Sequence, residues 1–357
     1  MPPQLATTHI ISDECADGAV LDGVHALLSA GHIDQGMSAL IPALQARRLD
    51  LGDRAWGEFA RICLEHPLRQ LLHEDPFTYR AFSRPRGYAG DAALLDFIYG
   101  QEEGWPVPEA SEVGKSIFAW TTCSSACDAV RARRGFIADL VNGLADEVLN
   151  PHILSIAAGH LREALLCAAV KRHKIGRYVA LDSDQDSLAE VQHSCGRFGV
   201  EPVAATIRQL LTHRVDLGQF DFVYATGLFD YLPLAAAQRL TSVMFQMLRP
   251  RGQLLVANFL PGIPDVGYME SFMDWKLIYR NRGDMIQLAD QIPQAAIRDI
   301  RIVAEENQNV IFLLVSKANE RTTLNGRHKG LNGPNFALQK HKGKHRVSSP
   351  GFLEIRE

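Results

Sequence analysis

Two stretches of the sequence carry residue types that can hold a ligand and act on it. The first is Ser155-Ile156-Ala157-Ala158-Gly159-His160-Leu161, small residues around one glycine that follow directly on an apolar run. Such residues let a backbone pass close to a ligand, and glycine can take conformations other residues avoid. Asp182 closes the next apolar run, with Ser183 and Asp184 behind it. A carboxylate placed there can accept both hydroxyls of a ribose. The competing role is a helix N-cap, which Asp182, Ser183 or Asp184 could each fill. The second stretch is Arg84-Pro85-Arg86-Gly87-Tyr88-Ala89-Gly90-Asp91, with Tyr79 and Arg80 just before it. Stiff and permissive backbone, guanidinium groups, a phenol and a carboxylate together make the composition of a lid over a ligand. Its arginines suit a substrate carboxylate, whose geometry a guanidinium fork matches. The competing role is a structural turn stapled by Arg86 and Asp91.

A third group, Asp274, Trp275, Tyr279 and Arg280, follows a later apolar run and adds polar and aromatic candidates for a substrate cavity. Trp275 could equally be core, the default for a lone aromatic. Tyr88, Arg86 and Asp274 are the expected catalytic residues. Tyr79, Arg80, Asp91, Trp275, Tyr279 and Arg280 are the expected substrate contacts. His160 is a weak candidate for a base and fits the end of a helix better. Cys123 and Cys127 could share a helix face, yet no histidine or second cysteine pair stands near enough in sequence to complete a metal site. No metal is expected.

The elements that must position these groups follow from periodicity. His152–Ala158, Arg177–Asp182, Pro202–Ile207, Phe220–Thr226 and Gln253–Phe259 are short apolar runs that read as buried strands. Helical spacing separates them: Leu161, Ala164, Leu165 and Ala168 after the first, then Leu240, Val243, Met244 and Met247 before the last. Strands alternating with helices imply right-handed crossovers and a parallel sheet covered on both faces. RDIRIVAEENQNVIFLLVSK reads instead as two strands joined by a polar turn, hence an antiparallel pair. Residues 1–150 read as a mostly helical accessory and lid region, with Gly31 and Pro42 breaking its first helices and a long helix over Ser124–Val148. Residues 151–318 form the core. In such a sheet a ligand sits beyond the carboxyl ends of the strands, at the switch point beside the first.

The 357 residues are 46% hydrophobic and 22% charged, the balance of a globular protein, and no apolar run is long enough to span a membrane. No basic-then-apolar leader opens the chain, and six scattered cysteines suit reduced thiols in a cytoplasm. Residues 319–357 hold eight Lys and Arg against three Glu, so the net charge of −4 conceals a body near −9. An acidic body argues against nucleic acid as a partner, because phosphate contacts need a basic face. The basic segment reads as a mobile tail.

From Ile153 to Ser316 the chain resembles the class I S-adenosylmethionine-dependent methyltransferases. ILSIAAGHLRE stands at their first motif, YVALDSDQDSL at their second-strand acid, FDFVYATGLFDYLP at their fourth strand and LRPRGQLLVANF at their fifth. Two positions depart from the pattern: Ser155 replaces the usual acidic residue and Ala157 the first glycine. The resemblance implies an α/β fold with a Rossmann-like seven-stranded sheet, mostly parallel with its last strand antiparallel. It implies S-adenosyl-L-methionine as cofactor, held by Ser155, Ala157, Gly159, Asp182, Ser183, Thr226, Gly227 and Leu228. PFTYRAFSRPRGYAGD and MDWKLIYR are similar to a narrower bacterial subgroup linked to the biosynthesis of an extracellular factor, 3-hydroxypalmitic acid methyl ester. The expected activity is methyl transfer to a small carboxylate-bearing molecule, with the ester of a 3-hydroxy fatty acid as the case the subgroup implies. S- or N-methylation of an amino-acid-like molecule is the alternative, and a non-catalytic cofactor-binding regulator the less favoured one. The expected partner is a small molecule, without nucleic acid or stable membrane insertion; a homodimer is the assembly allowed for.

Overall fold

The computed structural model describes residues 6–319 and 352–354. Eight helices come first: α1 (Ala6–Ser29), α2 (Ile33–Asp50), α3 (Asp53–Glu65), α4 (Leu68–Leu72), α5 (Pro76–Ser83), α6 (Ala92–Glu103), α7 (Glu112–Thr121) and α8 (Ser125–Glu147). Local chemistry sets several of their ends. Gly31, at φ 80°, turns the chain between α1 and α2. Asp75 caps α5 by accepting from the backbone of Phe77 and Thr78, with Pro76 in the first turn. Asp91 caps α6 and Ser111 caps α7. Pro42 departs from expectation, because α2 runs through it. Met37, Leu40, Ile41 and Leu44 of that helix are buried, and their packing outweighs the hydrogen bond that proline removes.

One sheet follows, built from β1 (His152–Ile156), β2 (Arg177–Asp182), β3 (Val200–Ala204), β4 (Phe220–Ala225), β5 (Leu248–Phe259), β6 (Ile297–Glu305), β7 (Val310–Lys317) and β8 (Phe352–Glu354). The order is β3-β2-β1-β4-β5-β7-β6-β8. The first five strands pair in parallel, and β7 runs antiparallel to both β5 and β6. The Rossmann-like sheet anticipated above, mostly parallel with β7 antiparallel, is therefore present. The eighth strand is an addition: Phe352–Glu354 pairs antiparallel with Val303–Glu305 at the sheet edge. It falls inside the segment read from sequence as a tail; residues 320–351 and 355–357 lie outside the described residues.

Between strands lie α9 (Ala168–Lys171), α10 (Gln185–Cys195), α11 (Ile207–Leu211), α12 (Leu234–Gln246), α13 (Val266–Ser271) and α14 (Arg282–Gln287). The helix expected to carry Leu161, Ala164, Leu165 and Ala168 is reduced to a 3-10 turn at Arg162–Leu165 and the one-turn α9. Ala157, Gly159 and Leu161 all sit at left-handed φ, of 52°, 53° and 49°. Three such residues in five keep the chain out of helical geometry until past Leu161, which opens the loop around a cleft.

Strand residues alternate between two apolar layers. Leu154, Val179, Leu181, Val223, Val256 and Leu313 pack under α12, through Leu240 and Met244. Ile153, Tyr178, Phe222, Tyr224, Leu255 and Phe312 pack on the other face, in one continuous cluster with residues of α1–α8. The accessory helices thus share a core with the sheet. Among the described residues no helix is long and apolar enough to cross a membrane, and no group of three His, Cys, Asp or Glu could hold a metal ion.

Candidate active-site cleft

A cleft of about 380 Å³ opens at the carboxyl ends of β1, β2 and β4, within the size range of small-molecule sites. The loop after β1 forms its floor. Gly159 has no Cβ, and one built there would come within 3.1 Å of the Ala92 Cβ, so glycine serves both the left-handed backbone and the close approach of α6. Asp182, buried at the end of β2, accepts from Gly159 N at 2.8 Å and from Asp184 N at 2.9 Å. The N-cap of α10 is Asp184, which frees Asp182 from that role. A carboxylate offers about four acceptor positions, so two backbone donors leave Asp182 able to take two more.

Eight of the anticipated residues line this one cleft: Tyr88, Ala157, Gly159, Asp182, Ser183, Thr226, Gly227 and Leu228. Ser155 does not line it. It is buried behind the loop, beside the Tyr224 hydroxyl. Burial, reinforced by the charges of Asp182, Asp184 and Asp91, pushes the Tyr88 phenol up to about 12, so it stays protonated at neutral pH.

The arginines of the segment read as a lid are spoken for by the protein itself. Arg80 forms a two-pronged ion pair with fully buried Asp91, both contacts at 2.8 Å, and Asp91 also caps α6 through Leu94 N. Arg84 binds the carboxylate and backbone carbonyl of Asp274. Arg86 donates to Asp184 at 2.9 Å, to Ser187 at 3.1 Å and to His160 Nε2 at 3.2 Å. Because a guanidinium only donates, His160 Nε2 accepts there, and its Nδ1 donates to Asp96 at 2.7 Å. The staple read from sequence pairs Arg86 with Asp91; the staple formed is Arg80 with Asp91. Carboxylate recognition by these arginines is thereby left without a free guanidinium.

The remaining candidates scatter. Trp275 Nε1 donates to the Tyr231 hydroxyl at 2.8 Å, and both rings close on Gly90, where a Cβ would stand 2.6 Å from Trp275 and 2.7 Å from Tyr231. Arg280 is buried and holds the turn after β4 by donating to Phe229 O, Leu232 O and Asn258 Oδ1. Tyr279 is partly buried outside the cleft lining, with no hydrogen-bond partner for its hydroxyl among the described residues. Tyr79 is exposed, beside the His73 ring. Asp274 is half-exposed in its pairing with Arg84.

The cleft also contains residues the sequence reading did not single out, chiefly Arg133, Glu163, Asp96, Tyr99 and Tyr231. Arg133 had a legible signal. It falls on the apolar stripe Ala126, Val130, Ile137, Val141 of α8, where an arginine demands a reason. Its guanidinium donates to Thr226 O, tying α8 to the loop after β4. Glu163 accepts from the Tyr224 hydroxyl at 2.7 Å, and burial raises its carboxyl above the usual range.

No protein-family model matches the chain, and no curated protein sequence does. Among solved structures it is similar to a possible exported protein from Bordetella parapertussis, with 15% identity, a TM-score of 0.52, and 64% of this chain and 79% of that one covered. It also aligns with the N-methyltransferase NodS from Bradyrhizobium japonicum WM9 in complex with S-adenosyl-L-homocysteine, at 14% identity, TM-score 0.40 and coverage of 56% and 90%. A third alignment is to magnesium protoporphyrin IX methyltransferase from Synechocystis PCC 6803 with the same product bound, at 10% identity, TM-score 0.43 and coverage of 64% and 100%. The first likeness bears on the fold alone, and the other two are too distant to carry more.

Proposed function

We propose that the protein is an S-adenosylmethionine-dependent methyltransferase acting on a small carboxylate-bearing molecule, with this cleft as its cofactor site. The observation that carries the reading is Asp182 with acceptor positions to spare, facing a left-handed small-residue loop at the switch point of the sheet. The residues present fit the cofactor. Asp182 suits the ribose hydroxyls, Gly159 leaves room for close passage, and Leu181, Ala205, Ile207 and Leu228 give the apolar walls an adenine needs. When bound, the cofactor supplies a methyl group on a sulfonium, already a leaving group.

The chain's own task is to hold an acceptor about 3–3.5 Å from that methyl and to keep water out. Tyr88 and Tyr231 line the cleft for this purpose, and Trp275 braces Tyr231 through its hydrogen bond. His160 is tied between Asp96 and Arg86, and the Tyr88 phenol keeps its proton, so neither serves as a general base. That arrangement suits a nucleophile competent without one, such as a carboxylate. The subgroup resemblance points to a 3-hydroxy fatty acid, but the apolar cavity behind Trp275, bounded by Phe77, Ile98, Trp120 and Met273, measures about 30 Å³. It is too small for a long acyl chain, and a short carboxylic acid is the acceptor we favour. Incubation with methyl-labelled cofactor and panels of short acids, 3-hydroxy fatty acids and amino acids tests this. Label in a base-labile product from the short acids supports the reading; label confined to base-stable products excludes the ester.

A further inference from the structure

Trp275 stands between two cavities. The cleft and the apolar cavity behind Trp275 draw on the same helices. On α6, Leu95 and Tyr99 line the cleft and Ile98 the cavity; on α8, Arg133 lines the cleft and Val130 the cavity. Three residues advance a helix by about 4.5 Å, so a single layer of side chains separates the two spaces. Trp275 belongs to that layer. Its indole lines the cavity and meets Gly90 and the Tyr231 hydroxyl, both of which line the cleft.

The indole is held more firmly than packing alone requires. Asp274, just before it, takes a left-handed φ of 45°, and Arg84 clasps both the carboxylate and the carbonyl of Asp274. Such backbone persists where its surroundings over-determine it, and it gathers at ligand sites. Trp275 N donates to Met269 O at 2.8 Å, and its Nε1 donates to Tyr231. Gly90 leaves room for the ring, since a Cβ there would stand 2.6 Å from it. The polar groups around the cavity are already engaged: Tyr268 with Thr78, Thr121 with Asp75, and Asp265 with Ser125 and Ala126 N. An occupant of that space must therefore be apolar.

We propose that Trp275 determines the chain length of the acceptor. Its indole closes the cleft off from the cavity. An acid whose carboxylate faces the methyl group can extend its hydrocarbon end only as far as Tyr231 and Trp275. A smaller side chain at 275 joins the two spaces and admits longer chains. The assignment rests on the carboxylic-acid reading above and extends it to the residue that sets specificity.

The test is a chain-length series. Straight-chain acids from acetate to dodecanoate are incubated with methyl-labelled S-adenosylmethionine and wild type, Trp275→Leu or Trp275→Phe, and kcat/KM for ester formation is measured at each length. Thermal unfolding and titration with S-adenosylhomocysteine check that each variant is folded and loads the cofactor. Wild type should lose about tenfold or more for each methylene beyond a short limit. Trp275→Leu should move that limit up by about two carbons or more, and Val130→Met added to it should refill the cavity from α8 and move the limit back. Trp275→Phe should give a smaller shift in the same direction, and it decides the matter where Trp275→Leu does not fold. An unchanged limit in a folded variant, or an equal loss at every length, overturns the assignment and leaves the carboxylic-acid reading standing. Long acids accepted by wild type overturn it as well. No methyl ester from wild type with any acid overturns the acid reading itself, and this assignment with it.

Discussion

At the residue scale the cleft depends on Asp182. Two backbone donors hold its carboxylate in place, and two acceptor positions remain for a ribose. Asp182→Ala should weaken S-adenosylhomocysteine binding by about 1–3 kcal/mol, the cost of leaving a buried donor unpaired. An unchanged dissociation constant in the folded variant would remove the ribose role. Asp182 and Gly159 were legible in the sequence because one strand end and one glycine suffice to mark them. Glu163 was not, because what fixes it in the cleft is Tyr224, with Tyr178 behind it, on two strands that no local pattern connects to it. Arg280 misled for the opposite reason. A cation after the fifth strand looks like a substrate contact until the turn carbonyls it holds are seen.

At the scale of elements, the segment read from sequence as a lid is fastened by ion pairs. Arg80 reaches from α5 to Asp91 at the start of α6, and Asp91 is wholly buried. Arg80→Ala would strand that carboxylate, so denaturant unfolding should show a loss of about 3 kcal/mol or more. A substrate-gripping arginine would instead raise KM and leave stability nearly intact; that result would restore the role expected from sequence. The five parallel strands and the antiparallel pair were readable from runs of apolar residues, since a strand buried on both faces has little other option. The helix after β1 was misread because its apolar spacing is real while the left-handed backbone at Ala157, Gly159 and Leu161 prevents its start. β8 was invisible, being three residues long and paired with a strand far away in sequence.

At the scale of the whole molecule, one apolar layer joins α1–α8 to the sheet, so the accessory region and the core should unfold together. Buried acids shape how that stability depends on pH. Burial raises both Asp75 and Asp230 from 3.8 to about 6. Each binds its proton more tightly folded than unfolded, so their contribution is fully present below about pH 4 and is lost as pH rises through about 6. Melting temperature should therefore fall between those values, and Asp230→Asn, which keeps the acceptor for Phe259 N, should flatten part of the slope. A slope unchanged by that substitution would assign the effect to other groups. The function rests on what the cleft binds. Calorimetric titration of the full-length wild-type protein with S-adenosylhomocysteine tests that most directly. Saturable binding of one ligand per chain is the predicted result; no measurable binding at ligand concentrations up to about 1 mM, where even a weak site of about −4 kcal/mol would register, would contradict it.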